Sequence, residues 1–162
     1  MRLLLCLFAL PLFGCAADLC ATSDAPAIRL GDGVGGAFVP YEDNQEVPLR
    51  SAPQGGFGVT VLIATDGLPA DEDTLADVQL DVSIDGELKG TFLSANAPLR
   101  CRSSEDGGLI TDVVVGFDSA QFPTLDDFIA INGDVVDLEV GVTTHEGPSA
   151  AVVLPVTINL SR

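Results

Sequence analysis

The stretch Val47-Pro48-Leu49-Arg50-Ser51-Ala52-Pro53-Gln54-Gly55-Gly56-Phe57-Gly58-Val59-Thr60-Val61-Leu62-Ile63-Ala64 constrains this chain more than any other. Pro53 fixes its own φ near the value a turn requires, and Gly55 and Gly56 reach positive φ without a Cβ clash, so Pro-Gln-Gly-Gly predicts a turn. Beyond it, Phe57, Val59, Val61 and Ile63 share one parity and are large and apolar. Gly58, Thr60, Leu62 and Ala64, on the other parity, are small or mixed. A period of two with one thoroughly apolar face is a strand buried on that face. The two glycines also invite a ligand reading, as a place of close backbone approach, but turn chemistry accounts for them.

A strand this apolar needs a sheet, and the rest of the chain supplies one. The 17 Gly and 10 Pro fall between short apolar runs, the spacing of an all-β chain. Val78, Leu80, Val82 and Ile84 alternate with Gln79, Asp81, Ser83 and Asp85. Asp85-Gly86 then signals a two-residue hairpin into Glu87–Leu93. Leu109–Phe117, Val136–Val142 and Ala151–Leu160 read as further strands. Ala27–Leu30 reads as a first edge strand, with Phe38–Tyr41 and Glu46–Leu49 as short ones. The Gly31–Gly36 run reads as a flexible loop, since no Gly-Lys-Ser/Thr follows to make it a phosphate loop. Ser119–Ile131 holds one helical turn whose apolar side chains close an end of the domain. Six to nine short strands at this spacing predict an antiparallel, Ig-like β-sandwich over residues 27–162. The chain has no Trp, so the landmark of antibody domains is missing.

The first residues have a different character. Met1-Arg2 precedes an apolar run, Leu3–Phe13, too short for a membrane-spanning helix, which needs about 20 residues. It fits the apolar region of a signal peptide over residues 1–14. Leu12-Phe13-Gly14-Cys15 resembles the lipobox of bacterial lipoproteins. The resemblance implies that Cys15 becomes the lipidated first residue of the mature protein, followed by a tether over residues 15–26. Ordinary cleavage near Ala16 or Ala17 is the alternative and gives a periplasmic or secreted protein. In such lipoproteins an Asp directly after the lipidated Cys signals inner-membrane retention. Here that position is Ala16, which points to the outer membrane.

A second resemblance covers Phe38-Val39-Pro40-Tyr41, Asn44-Gln45-Glu46-Val47-Pro48-Leu49 and Pro53-Gln54-Gly55-Gly56-Phe57-Gly58-Val59. This succession is similar to that of bacterial envelope lipoproteins with an Ig-like β-sandwich domain. The resemblance implies the fold and brings no activity with it. Where those proteins often carry His, this chain has Gly58, so any role of that His is missing.

The cysteines divide simply. Cys6 lies in the signal peptide and Cys15 is the lipid site, which leaves Cys20 and Cys101 in an oxidising compartment. An even remainder predicts a disulfide, worth roughly 4–5 kcal/mol in the chain-entropy model. A metal site or a redox pair is the alternative, but there is no Cys-x-x-Cys, and the one histidine, His145, is remote.

The formal charge is -17, and loss of Arg2 leaves six basic residues against 24 acidic ones, or -18. Such a chain is repelled by nucleic-acid phosphate and anionic headgroups. It has no Gly-x-Ser-x-Gly and no His-Glu-x-x-His. His145 stands beside Glu146 in a polar turn. Asp81 and Asp85 read as the wet face of a strand rather than a glycosidase pair. Asp71-Glu72-Asp73 suggests calcium but lacks the alternating oxygens of an EF-hand loop. Glycan stacking calls for exposed aromatics, and Tyr41 is the only Tyr. The expectation is a non-catalytic, envelope-anchored Ig-like module with an interaction or structural role. It needs no cofactor or metal, binds no nucleic acid, meets the membrane through its lipid and has room for an envelope protein partner. An exported module that binds calcium or glycan is the alternative, and a secreted enzyme ranks below both.

Overall fold

Alternation of apolar and polar residues governs this fold strand by strand. The computed structural model describes Cys20 and residues 25–34, 37–52, 55–102, 107–145 and 147–160. The proposed signal peptide, Cys15 and most of the tether lie outside these residues. The strands are β1 (Ala27–Val34), β2 (Ala37–Pro40), β3 (Glu46–Ser51), β4 (Phe57–Asp66), β5 (Leu75–Ile84) and β6 (Glu87–Pro98). They continue with β7 (Arg100–Cys101), β8 (Gly108–Gly116), β9 (Val135–Thr144) and β10 (Ser149–Leu160), with one short helix, α1 (Leu125–Ala130), between β8 and β9. The fold is all-β, as the sequence predicts.

One half of the sheet is β2-β1-β4, with β8 on the other edge of β4 and β7 beyond part of β8. The other half is β3-β10-β9-β5-β6. All pairs are antiparallel except β3 with β10, which run parallel. β4 beside β8, β9 between β5 and β10, and a parallel strand entering beside the last one make an Ig-like order. β3 joins the two halves. Its residues Glu46–Leu49 pair with Thr157–Leu160 of β10, and Leu49–Ser51 pair with Val59–Phe57 of β4. Val47 and Leu49 point into the core at this handover.

The core lies between the halves. Val59, Val61 and Ile63 of β4 meet Val78, Leu80 and Val82 of β5 and Val136, Leu138, Val140 and Val142 of β9 in one buried cluster. Of the predicted turn before β4, Pro53 and Gln54 lie outside the described residues, while Gly55 and Gly56 take positive φ, 94° and 75°. Asp85 and Gly86 both take positive φ, as a two-residue hairpin of right-handed strands requires.

Two expectations are corrected. β1 is not an edge strand, because β2 covers one side of it and β4 the other. Gly31–Val34 also belong to β1 rather than to a loop. These glycines serve close packing: a Cβ on Gly31 would meet the Val39 carbonyl and the Phe38 ring, and one on Gly33 would meet Leu62. The β1–β2 hairpin therefore folds over the outer side of β4.

The two ends differ. At one, α1 starts at Thr124, whose backbone N–H and hydroxyl both donate to the Asp127 carboxylate. The helix sends Phe128 into a cluster with Phe57, Phe117 and Phe122, ring centroids 4.9 to 5.8 Å from its own. The predicted helical turn thus closes that end. At the other end, the loop carrying Leu68 and Ala70 is buried against Leu99 and the disulfide described below.

Tyr41 follows β2 and leans back onto β4. Its hydroxyl donates to the Thr60 carbonyl at 3.3 Å. Burial pushes its pKa up, the Asp32 carboxylate adds to this and Arg50 opposes it, leaving it at about 12. An unfolded tyrosine titrates near 10. The folded pKa lies above the unfolded one, so the stability Tyr41 contributes is complete below about pH 10 and is lost as pH rises towards 12. The chain has one Tyr and no Trp, so phenolate absorbance follows this residue alone. The native protein should ionise near pH 12 and the urea-unfolded protein near 10. A native midpoint near 10 would contradict the packing of Tyr41.

Candidate functional site

Cys20 and Cys101 form a disulfide, with Cα atoms 5.6 Å apart. Cys101 lies in β7, which pairs with Leu109 and Gly108 of β8. The Cys20 backbone N–H also donates to the Ala70 carbonyl at 3.0 Å. Beside it, the Arg102 guanidinium, only 7% exposed, holds Asp66 at 2.9 Å, and Arg29 approaches the same carboxylate at 3.2 Å. The chain is thus fixed to the domain at Cys20. Cys15, the proposed lipid site, lies outside the described residues.

His145 is more engaged than its sequence context suggests. Its Nε2 lies 3.2 Å from the Asp77 carboxylate and 3.1 Å from the Ala95 carbonyl. Ala95 sits where β6 carries an extra residue against β5, so the imidazole ties the β9–β10 turn to that bulge. Among the described residues, no hydroxyl or thiol hydrogen-bonds to it. Asp71 organises its own loop, accepting from the N–H groups of Asp73 and Thr74 and from the Thr74 hydroxyl. These bonds hold its carboxyl below the usual range. Among the described residues, no group of His, Cys, Asp or Glu side chains is arranged to hold a metal ion, and no helix is long and apolar enough to cross a membrane.

Charge is divided unevenly between the halves. Arg29, Arg50 and Arg102 pair with acids beside β1, β3 and β7. Lys89 is the one basic residue of β5, β6, β9 and β10, and Glu87 holds it at 2.7 Å. The outer face of these strands carries Asp77, Asp81, Asp137 and Glu139, with Asp81 directly opposite Glu139. Like charges so placed destabilise a sheet. Gln79 and Thr91 soften the cost by donating to Asp81 at 2.6 and 2.7 Å.

A concave feature lies along the open side of the domain. There the outer edge of β6 faces the edge of β8 that β7 leaves uncovered. The strands touch at Gly90 and Gly116, where a Cβ on Gly90 would run into the Gly116 backbone. The Asp118 N–H donates to the Lys89 carbonyl at 2.7 Å and seals that end. A crevice of about 690 Å³ runs along this junction, from Gly90, Gly116 and Asp118 at the closed end to Leu93 and Asp112 where the strands part. Leu88 and Leu93 stand at its lip, 56% and 69% exposed. Phe92 and Val114 line it, and Asp112 and Asp118 form the opposite rim. Asp112 takes its place through a bulge: between Val113 and Ile110, β8 spends two residues where β4 spends one, and Asp112 adopts φ 62°. Sequence reading missed this site because its walls belong to strands that are not consecutive. The lone signal in the sequence was Leu93, a large apolar residue on the polar parity of its strand.

No protein-family profile matches the chain, and no curated protein or solved structure is detectably similar to it.

The disulfide predicts a specific pattern of thiol reactivity. Cys20 and Cys101 should resist alkylation in unreduced, urea-unfolded protein and react after reduction. Reduction should also lower the folding free energy by roughly 4–5 kcal/mol in the chain-entropy limit. Alkylation of both without reductant would refute the pairing.

Proposed function

We propose that this protein is a non-catalytic, envelope-anchored interaction module, tethered to a bacterial membrane, the outer one by the resemblance, through lipid on Cys15. The observation that carries the interaction role is the crevice between β6 and β8, where Leu88 and Leu93 stand exposed beside a concave surface of mixed polar and apolar lining that includes Phe92 and Val114. In a chain of charge -17, leucines left in water at such a place mark a binding surface. The anchoring role rests on the lipobox-like Leu12-Phe13-Gly14-Cys15. The Cys20–Cys101 bond supports it mechanically, because it leaves only residues 16–19 between the lipid and the fixed part of the domain. An extended chain covers at most about 3.6 Å per residue. A protein so tethered holds its stapled end at the membrane and its α1 end away from it. The acidic surface keeps the domain off anionic headgroups.

The anchor is tested by mass spectrometry of the mature N-terminal peptide. Wild-type protein should carry acyl mass on Cys15 and partition with membranes, and Cys15→Ser should be released. An unacylated N-terminus at Ala16 or beyond would overturn the anchor and leave a secreted module.

A further inference from the structure

We infer that the crevice receives an extended, cationic peptide segment of another protein, in which Lys or Arg is interspersed with branched apolar residues. This rests on the interaction reading above and names its partner chemistry.

The backbone sets the shape of the guest. β6 is bulged at Lys89 and again at Ala95–Asn96, and between these points Gly90–Ser94 pairs regularly with Val82–Val78 of β5. No described strand forms a ladder with the outer edge of Gly90–Ser94, which β8 approaches only at Gly90, and β8 is likewise unpaired on that edge beyond Leu109. Unpaired strand groups in a row are a template for the addition of another extended backbone. The two bulges and the Asp118–Lys89 bond confine this edge to a short window, which disfavours indiscriminate edge-to-edge pairing.

Side chains set the guest's composition. Leu88 precedes the window and Leu93 lies within it, both exposed, while Phe92 beside Leu93 and Val114 of β8 are half-buried. Phe92 and Leu93 are successive and point to opposite faces of β6, so both faces of an added strand meet apolar area. The charges on the rim are acidic. Asp112 and Asp118 are exposed, and Lys89 is neutralised by Glu87. A basic guest is attracted to this rim and an acidic one is repelled.

The experiment is a titration of the isotope-labelled, exported full-length protein with three peptides: acetyl-Lys-Val-Lys-Val-Lys-Val-amide, its Glu-Val counterpart and its Lys-Gly counterpart. Amide shifts are mapped by NMR. The Lys-Val peptide should shift Gly90–Ser94 and Asp112–Val115 and bind more weakly as salt rises. The other two should bind at least tenfold more weakly. Asp112→Asn with Asp118→Asn preserves shape and tolerance of positive φ, and should weaken binding about fivefold or more. Leu93→Asp should weaken it about tenfold. Glu139→Gln, on the outer acidic face, should leave it unchanged. Absence of saturable shifts at millimolar peptide would overturn the proposal. So would equal binding of the Glu-Val peptide, shifts centred on Asp81 and Glu139, or concentration-dependent shifts at the window without peptide, which would make a second copy the occupant. The anchor is read from acyl mass and this site from shifts, so either can fail without the other.

Discussion

Leu49 is where two hydrogen-bonded ladders meet. On one side of the handover β3 runs parallel to β10, and on the other it runs antiparallel to β4. A strand with partners in both halves of a sandwich keeps those halves from sliding apart and fixes their register together. β4 has a similar double duty, with β8 along one edge and β3 and β1 sharing the other. Pro48, which has no N–H to give, falls just before β4 joins. Side-chain period then does the rest. Once β4 is placed, Val59, Val61 and Ile63 must face inward, and β5 and β9 can cover them only with their own apolar parities.

The open side behaves differently because nothing pairs there continuously. Glycines allow β6 and β8 to touch at one point, β7 bridges β8 for two residues, and between them the edges stay apart. The departures from regular pairing on β6 and β8 border this gap, which is how edge strands avoid random association and how a cleft is given shape. The stapled end and the plugged end give the domain a direction. The disulfide, Arg102–Asp66 and the Ala70 loop secure one end, and four phenylalanines fill the other.

The legible parts of the fold were those where physics acts locally. Alternation marked β4, β5 and β9 because each has one buried face. Asp85-Gly86 and Gly55-Gly56 marked turns because positive φ suits few residues. The Cys20–Cys101 pair followed from counting thiols in a chain read as exported. What was not legible depends on partners distant in sequence. Gly31 and Gly33 look like loop residues until Phe38 and Leu62 are seen filling the space that a Cβ would need. His145 looks solvated until the β6 bulge brings the Ala95 carbonyl to it. The crevice has no local pattern, since it arises from pairing that stops. Cys15 lies outside the described residues, and its proposed lipidation rests on the lipobox resemblance.

The central claim is that β3 and β4 bind both halves into one cooperative unit. Native-state hydrogen exchange tests it most directly, because it reads the opening free energy of each amide. The account predicts that the slowest amides of β4 and β8 and those of β5, β9 and β10 open with the same free energy, equal to that of global unfolding. Amides of the β4–β8 half opening together at a distinctly lower free energy, while the β5–β9–β10 half stays protected, would contradict it.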